Sequence, residues 1–377
     1  MILVVAIGLV AGVVPGRGAL YAPDAPMVVP ARPDGTAEAL PFDEFRRRFA
    51  QLSNIADPRP GPDGQPNPDR AKVLARVKGR PPAKIADEDA ANAADLIRLG
   101  NSDGGFFVND ALNRLTPRTR DRVPSYFAHT ALAAAHAARG EWTDAVNYHA
   151  AALIDCQMPD HVKGWTDAQR AWQKGFDGTY VPHYYRLRRA EAEAKPRPAP
   201  ELEEPTPLFP LPGKDGTAAP VRFAGESGNY EPGTLAAAER AKLPADALAV
   251  TQQLLLQFPG DTRLYWLLAE LYAADGKFEE ALKILDECAW SRQYGNRRAL
   301  MDHRTALGSA VAAAAKKAEE DAKKAEEDAK KAEAEYPLSL RTVFVYFGVV
   351  VLVGAVAVVR ALRKGGPKPG CGPFGCS

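Results

Sequence analysis

The sequence predicts an all-α chain: a solenoid of helical hairpins in two segments split by a proline-rich linker, then a long charged helix and one transmembrane helix. Three observations carry this expectation. Apolar residues recur at helical spacing on either side of tight glycine turns. A triplet centred on alanine returns on a lattice of 34 residues. The end of the chain passes from repeated Lys/Glu blocks into an uncharged apolar run.

The clearest hairpin runs from Leu264 to Leu285. Leu264, Leu267, Leu268, Leu271 and Tyr272 share one helical face, and Gly276 breaks the run. Phe278, Ala281, Leu282 and Leu285 form the stripe of the next helix, with Glu279, Glu280 and Lys283 on its wet side. Small Ala281 lets two helices approach closely. A lone hairpin leaves one face uncovered, so it needs stacked neighbours. Those neighbours lie on the lattice: Glu280-Ala281-Leu282, Asp246-Ala247-Leu248, Asp144-Ala145-Val146 and Asp110-Ala111-Leu112.

With this period the sequence resembles the tetratricopeptide repeat family, whose pattern is W-x2-L-G-x2-Y…A-x3-F…P. Tyr265, Leu268, Ala269 and Tyr272, followed by Ala281 and Leu285, fit it best. His129, Leu132, Ala133 and His136, then Gly140, Ala145 and His149, fit it next. The Ala247 unit keeps a closing Pro259 but has a poor first helix around Thr234 to Lys242. At Ala111 the register slips by one, and Trp165 to Tyr185 reads as a fifth, degenerate unit. The resemblance covers about Ala83 to Leu307 and implies a scaffold that binds an extended protein or peptide segment on the first helices of its hairpins.

Composition excludes several classes. A net charge of +1 gives no electrostatic case for nucleic acid. Four cysteines in 377 residues do not make a disulfide scaffold. Ala-, Arg-, Pro- and Gly-rich usage fits a GC-rich bacterial genome.

Both ends carry membrane signals. Ile2 to Val14 is an apolar run of signal-peptide length, with Leu20-Tyr21-Ala22 as a cleavage site, so 1–22 is read as a signal peptide. Thr342 to Val359 is eighteen residues without a charge. As a helix it spans about 27 Å, close to the hydrocarbon thickness. The predicted membrane helix is 338–360, and Arg360, Arg363, Lys364 and Lys368 place the tail 361–377 in the cytoplasm. The repeats then lie outside the plasma membrane in a single-pass, periplasm-facing protein.

Between these ends, 23–82 reads as a helical and loop region, with helices at Pro41–Ser53 and Asp69–Lys78. Arg46, Arg47 and Arg48 form a solvated basic face or one that touches acidic lipid. Residues 83–195 hold helical hairpins, with Trp165 and Trp172 on one helix face and a new helix starting at Pro182. Residues 196–233 are a Pro/Gly-rich linker, read as an extended spacer with a short strand at Val221–Ala224. Residues 234–307 hold the last repeats. The Ala/Lys/Glu blocks of 308–336 form a charged stalk, with Glu319–Lys323 and Glu326–Lys330 among its i,i+4 pairs. The heptad spacing of its alanines offers a weak dimer seam.

No nucleophile elbow, phosphate loop or zinc-protease motif appears, so the chain is read as no enzyme, with no metal and no cofactor. His129, His136 and His149 stand where the family pattern has ring residues and read as core side chains. Cys156 and Cys288 read as buried thiols. The alternative function is an envelope enzyme, or its non-catalytic subunit, with a site in the poorly matched segments. The binding groove is expected at Arg263, Trp266 and Glu270, and one period later at Arg297 and Arg304. Guanidinium groups beside an aromatic ring suit a carboxylate. The competing arrangement packs Trp266 beneath the helix near Ala299 and pairs the arginines with Asp286, Glu287 and Asp302.

Overall fold

The computed structural model describes residues 29–60, 64–65, 67–80, 83–100, 105–162, 164–195, 199, 203–213, 219–290 and 294–335. The expected signal peptide, membrane helix and basic tail lie outside the described residues. Among those described, no helix is long and apolar enough to cross a membrane.

The described chain is helical, and a β-bridge joins Ala31 to Ala37. Helices α1 (Phe42–Ala56) and α2 (Pro68–Gly79) precede the first hairpin, α3 (Ala86–Leu99) and α4 (Phe106–Leu115). After a 3-10 turn at Thr116–Arg120 come α5 (Tyr126–Ala138), α6 (Trp142–Ile154) and α7 (Asp167–Glu193). The short α8 (Ala237–Arg240) leads to α9 (Ala247–Gln257), α10 (Thr262–Ala274), α11 (Phe278–Trp290) and α12 (Arg297–Glu335). Contacts divide the chain into two compact units between Val311 and Ala312.

The lattice alanines do what their size predicts. Ala111, Ala145, Ala247 and Ala281 are buried, on α4, α6, α9 and α11. Each of these is the second helix of its unit, and α8 is all that the poor first helix of the Ala247 unit amounts to. Two turns repeat in detail. Gly140 and Gly276 adopt φ of 76° and 74°, which a side chain would strain. Gly140 N–H donates to the Ala137 carbonyl and Glu141 N–H to that of His136. Gly276 and Lys277 repeat these bonds to Ala273 and Tyr272. Both turns thereby satisfy carbonyls at a helix end. The entry to α10 is fixed by Asp261, whose carboxylate accepts from the N–H groups of Arg263 and Leu264.

Three parts of the chain differ from expectation. First, α7 is one helix that runs through Pro182 rather than starting there. Thr166 and Gln169 form a capping box at its true start, leaving Trp165 outside the helix. Trp165 packs edge-on to Phe127 while Trp172 stacks on Phe176, so the two tryptophans are separate core residues. Pro182 forfeits one backbone bond, but Val181, Tyr184 and Tyr185 are buried around it and carry the helix onward.

Second, the proline-rich stretch is not a free spacer where it is described. Thr206, Leu208 and Phe209 are buried, and no strand forms at 221–224. Its apolar side chains have a helix surface to cover, which outweighs the extended preference of the prolines.

Third, the N-terminal region docks on the last repeats. Phe49 stacks on Tyr265 at 4.9 Å, Phe42 meets Tyr272 edge-on, and Arg46 pairs with Glu287. Arg47 and Arg48 both pair with Glu44. The Leu40 N–H donates to Gln252 Oε1 at 2.7 Å, while Gln252 Nε2 donates to the Leu40 carbonyl and to Tyr272 Oη. A buried amide with its groups answered in this way fixes position as well as affinity.

His129 and His149 are buried, as expected of core rings, and His136 is half-buried against Tyr148. His149 Nε2 donates to the Asp177 carbonyl at 2.7 Å, and burial lowers the pKa of its imidazole. Beyond the division, α12 is exposed through Lys331, with Lys323–Glu319 and Lys330–Glu326 paired at 2.6 Å. Such exposed pairs contribute only a few tenths of a kcal/mol each.

Ala281 is fully buried. Ala281→Leu should destabilise the first unit by about 1–3 kcal/mol, whereas Ala325→Leu on exposed α12 should stay within about 0.5 kcal/mol. Urea titrations of the two variants, followed by tryptophan fluorescence, check this.

Candidate functional site: a cavity on helix α10

Helix α10 is buried from Leu264 to Ala274. Neighbours α9 and α11 cover part of it and α1 covers another part. The remaining face carries Trp266 and, one turn on, Glu270. Against it lie the start of α12 and the described parts of 203–235. Between these pieces sits a cavity of about 330 Å³.

The chain is held there by its own backbone. Arg263 donates to the carbonyls of Glu204 and Pro205, and its Nη1 pairs with Glu191 at 2.6 Å. Asn296 Nδ2 donates to the Glu203 carbonyl, and the Gly295 N–H to the Glu203 carboxylate. Gly233 N–H donates to the Ala273 carbonyl, where a Cβ would come within 2.8 Å of the Phe278 ring. Glycine is required there by positive φ and by space alike. Tyr230 then lies flat on His303, ring centres 3.6 Å apart.

Glu270 is the chemical centre of the cavity. It is 1 % exposed. Its Oε1 accepts from Trp266 Nε1 and from His303 Nδ1, both at 2.7 Å. Its Oε2 is buried, and the phenol of Tyr230, buried as well, hydrogen-bonds to this carboxylate. Burial first, and then the neighbouring Glu270 carboxylate, push the Tyr230 phenol far above its ordinary pKa.

Of the residues expected to form a groove, Trp266 and Glu270 line this cavity. Arg263 sits at its edge, already engaged. Arg297 is exposed and donates to the Ala289 carbonyl. Arg304 pairs with Asp286 at 2.5 Å. The structure therefore does not gather three guanidiniums beside Trp266. The reason is register. Adding 34 to Trp266 and Glu270 points to Leu300 and Arg304, yet Ala299 and His303 line the cavity. One residue is about 100° of helix rotation, enough to turn Arg304 to α11 and bring His303 in. His303, Tyr230 and Glu203 carried no motif. The available signal was the apolar content of 196–233, with Leu208, Phe209, Phe223 and Tyr230, which is too high for a solvated linker.

His136, Glu141 and Asp144 place ligand atoms within 4.8 Å of one another, but Asp144 is exposed and His136 already bonds Glu141. Cys156 and Cys288 are buried thiols. Burial raises both, Cys288 to about 12, which leaves them unreactive.

Residues 239–288 match the family model of the tetratricopeptide repeat. No curated protein and no solved structure matches the chain. The matched stretch runs from α8 to the end of α11 and thus includes the helix that floors the cavity. Repeats of this kind generally mediate protein–protein binding.

Arg263 is the clasp of the 203–205 backbone. Arg263→Ala should speed cleavage after Glu203 and Glu204 by a glutamate-specific protease roughly tenfold or more, since charge-assisted bonds of this kind contribute about 1.5–3 kcal/mol each. Helical circular dichroism should not change.

Proposed function

We propose that the chain is a membrane-anchored scaffold whose helical repeats bind a protein or peptide on the extracytoplasmic side of a bacterial plasma membrane. The observation that supports the binding role most directly is the repeat match at 239–288 on a stack of α-hairpins. The anchor is the membrane helix 338–360 around the uncharged run Thr342–Val359, and the basic residues that follow that run set the tail in the cytoplasm. The partner meets the first-helix side of α10, where 203–211 lies across Trp266 and Glu270. Its contacts are therefore made with that assembled face and with exposed Arg297 at its border.

One experiment tests side and interaction together. Arg297→Cys, in the full chain within its native membranes, is labelled from outside with a membrane-impermeant photo-crosslinker. Cys156 and Cys288 are buried. Labelling of intact spheroplasts and one discrete protein adduct on illumination is the expected result. Ala322→Cys, on the exposed part of α12, should label but give no such adduct. Labelling only after lysis contradicts the topology. Labelling without an adduct, or with the same adducts from both positions, contradicts the interaction role.

A further inference from the structure

We propose that the cavity on α10 is a binding site for an uncharged aromatic group of one or two rings, held by apolar contact rather than by charge. The inference goes beyond the scaffold reading, because it concerns the chemistry of one pocket and needs no protein partner. It also replaces the carboxylate grip expected from the sequence with an apolar one.

The polar side chains around the cavity come first, because they are engaged with one another. Glu270 Oε1 accepts from Trp266 Nε1 and His303 Nδ1, and the Tyr230 phenol bonds the same carboxylate. Asn296 Nδ2 donates to the Glu203 carbonyl, and the Glu203 carboxylate accepts from the Gly295 N–H. The Thr206 hydroxyl is wholly covered. Glu204 and Arg222 are exposed, and Arg222 faces Glu239 at 3.6 Å. A charged ligand entering here would lose its water and find no buried counter-charge free to meet it, which is costly.

What these groups leave to the cavity is apolar. Phe209, Phe223, Val221 and Leu267 line it together with Trp266. Two of the rings are fixed by edge-on partners, Phe209 by Tyr180 and Trp266 by Tyr294. Fixed rings take a further ring edge-on or offset, and such pairs are worth more than the area they bury. An aromatic guest therefore gains over an alkyl guest of the same size.

Size supplies the rest. The volume of about 330 Å³ lies at the lower end of the range of small-molecule pockets, about 300–1,000 Å³. It has room for a group the size of an indole. Apolar cavities take up apolar guests of matching size. Such a ring comes either as a free arene or as the side chain of a phenylalanine or tryptophan.

The test is calorimetric titration of the full chain in lipid nanodiscs, with empty nanodiscs as the blank. The probes are benzyl alcohol, cyclohexylmethanol, benzylammonium and benzoate, and Nα-acetyl-phenylalanine amide. Saturable one-to-one binding of benzyl alcohol is expected. Cyclohexylmethanol should bind severalfold more weakly, and the two charged probes roughly tenfold or more. Binding of the phenylalanine derivative as well assigns the site to a protein side chain; binding of benzyl alcohol without it assigns the site to a free arene. Both outcomes support the site. Ala299→Phe on α12 and Val221→Phe on the preceding loop each add a ring at a residue that lines the cavity. Either should weaken benzyl alcohol roughly tenfold or more. No saturable binding beyond the blank overturns the proposal, and so does cyclohexylmethanol, benzylammonium or benzoate bound as tightly as benzyl alcohol. Unchanged affinity in either folded variant overturns it too; should both variants fail to fold, the probe series decides alone. A missing adduct at Arg297→Cys leaves it standing.

Discussion

Helix α10 has no side that can face water, and the rest of the first unit is arranged to meet that constraint. Every residue from Leu264 to Ala274 is buried. A helix apolar all round is stable only when surrounded. Burial of each large apolar side chain contributes about 1.5–3 kcal/mol, so few sequences would leave such a helix half covered. Stacking in a repeat array covers two sides, through α9 and α11. The remaining sides need chain from elsewhere. The N-terminal region supplies Phe42 and Phe49, held by the Leu40 backbone on Gln252 of α9, and the proline-rich stretch supplies Phe209 with Tyr230. Parts of the chain more than two hundred residues apart thus close on one helix, as the Phe42–Tyr272 and Phe49–Tyr265 contacts show.

Within this apolar enclosure Glu270 is the exception. Burying a carboxylate is costly unless donors answer it. Trp266 and His303 answer one oxygen, and the Tyr230 phenol adds a bond to the same carboxylate. Glu270 lies in the wall of the cavity on this face of α10.

What the sequence made legible was local. Alanine spacing marked the second helices because a small side chain is needed wherever two helices approach closely, whatever surrounds them. Glycine and aspartate marked the turns and the α10 cap because backbone geometry and orphan N–H groups demand them, as at Gly140, Gly276 and Asp261. Non-local packing was not legible. Pro182 reads as a helix start by its own chemistry, and only the burial of Tyr184 and Tyr185 carries α7 through it. The prolines of 203–211 favour extended chain, and nothing in them states that α10 is the surface to be covered. The site was half legible for a similar reason. Trp266 and Glu270 follow from the period of α10 itself, while the one-residue slip at α12 exchanged Arg304 for His303.

Hydrogen exchange along the full chain, read by mass spectrometry peptide by peptide, tests the enclosure of α10 most directly. If α10 is the helix on which the unit closes, amides 264–274 exchange only through global unfolding and are among the slowest in the molecule. Amides of 203–213 exchange faster, through local opening that leaves α10 protected. Exchange of 264–274 at the rate of 203–213, well ahead of α5 and α6, would contradict the account.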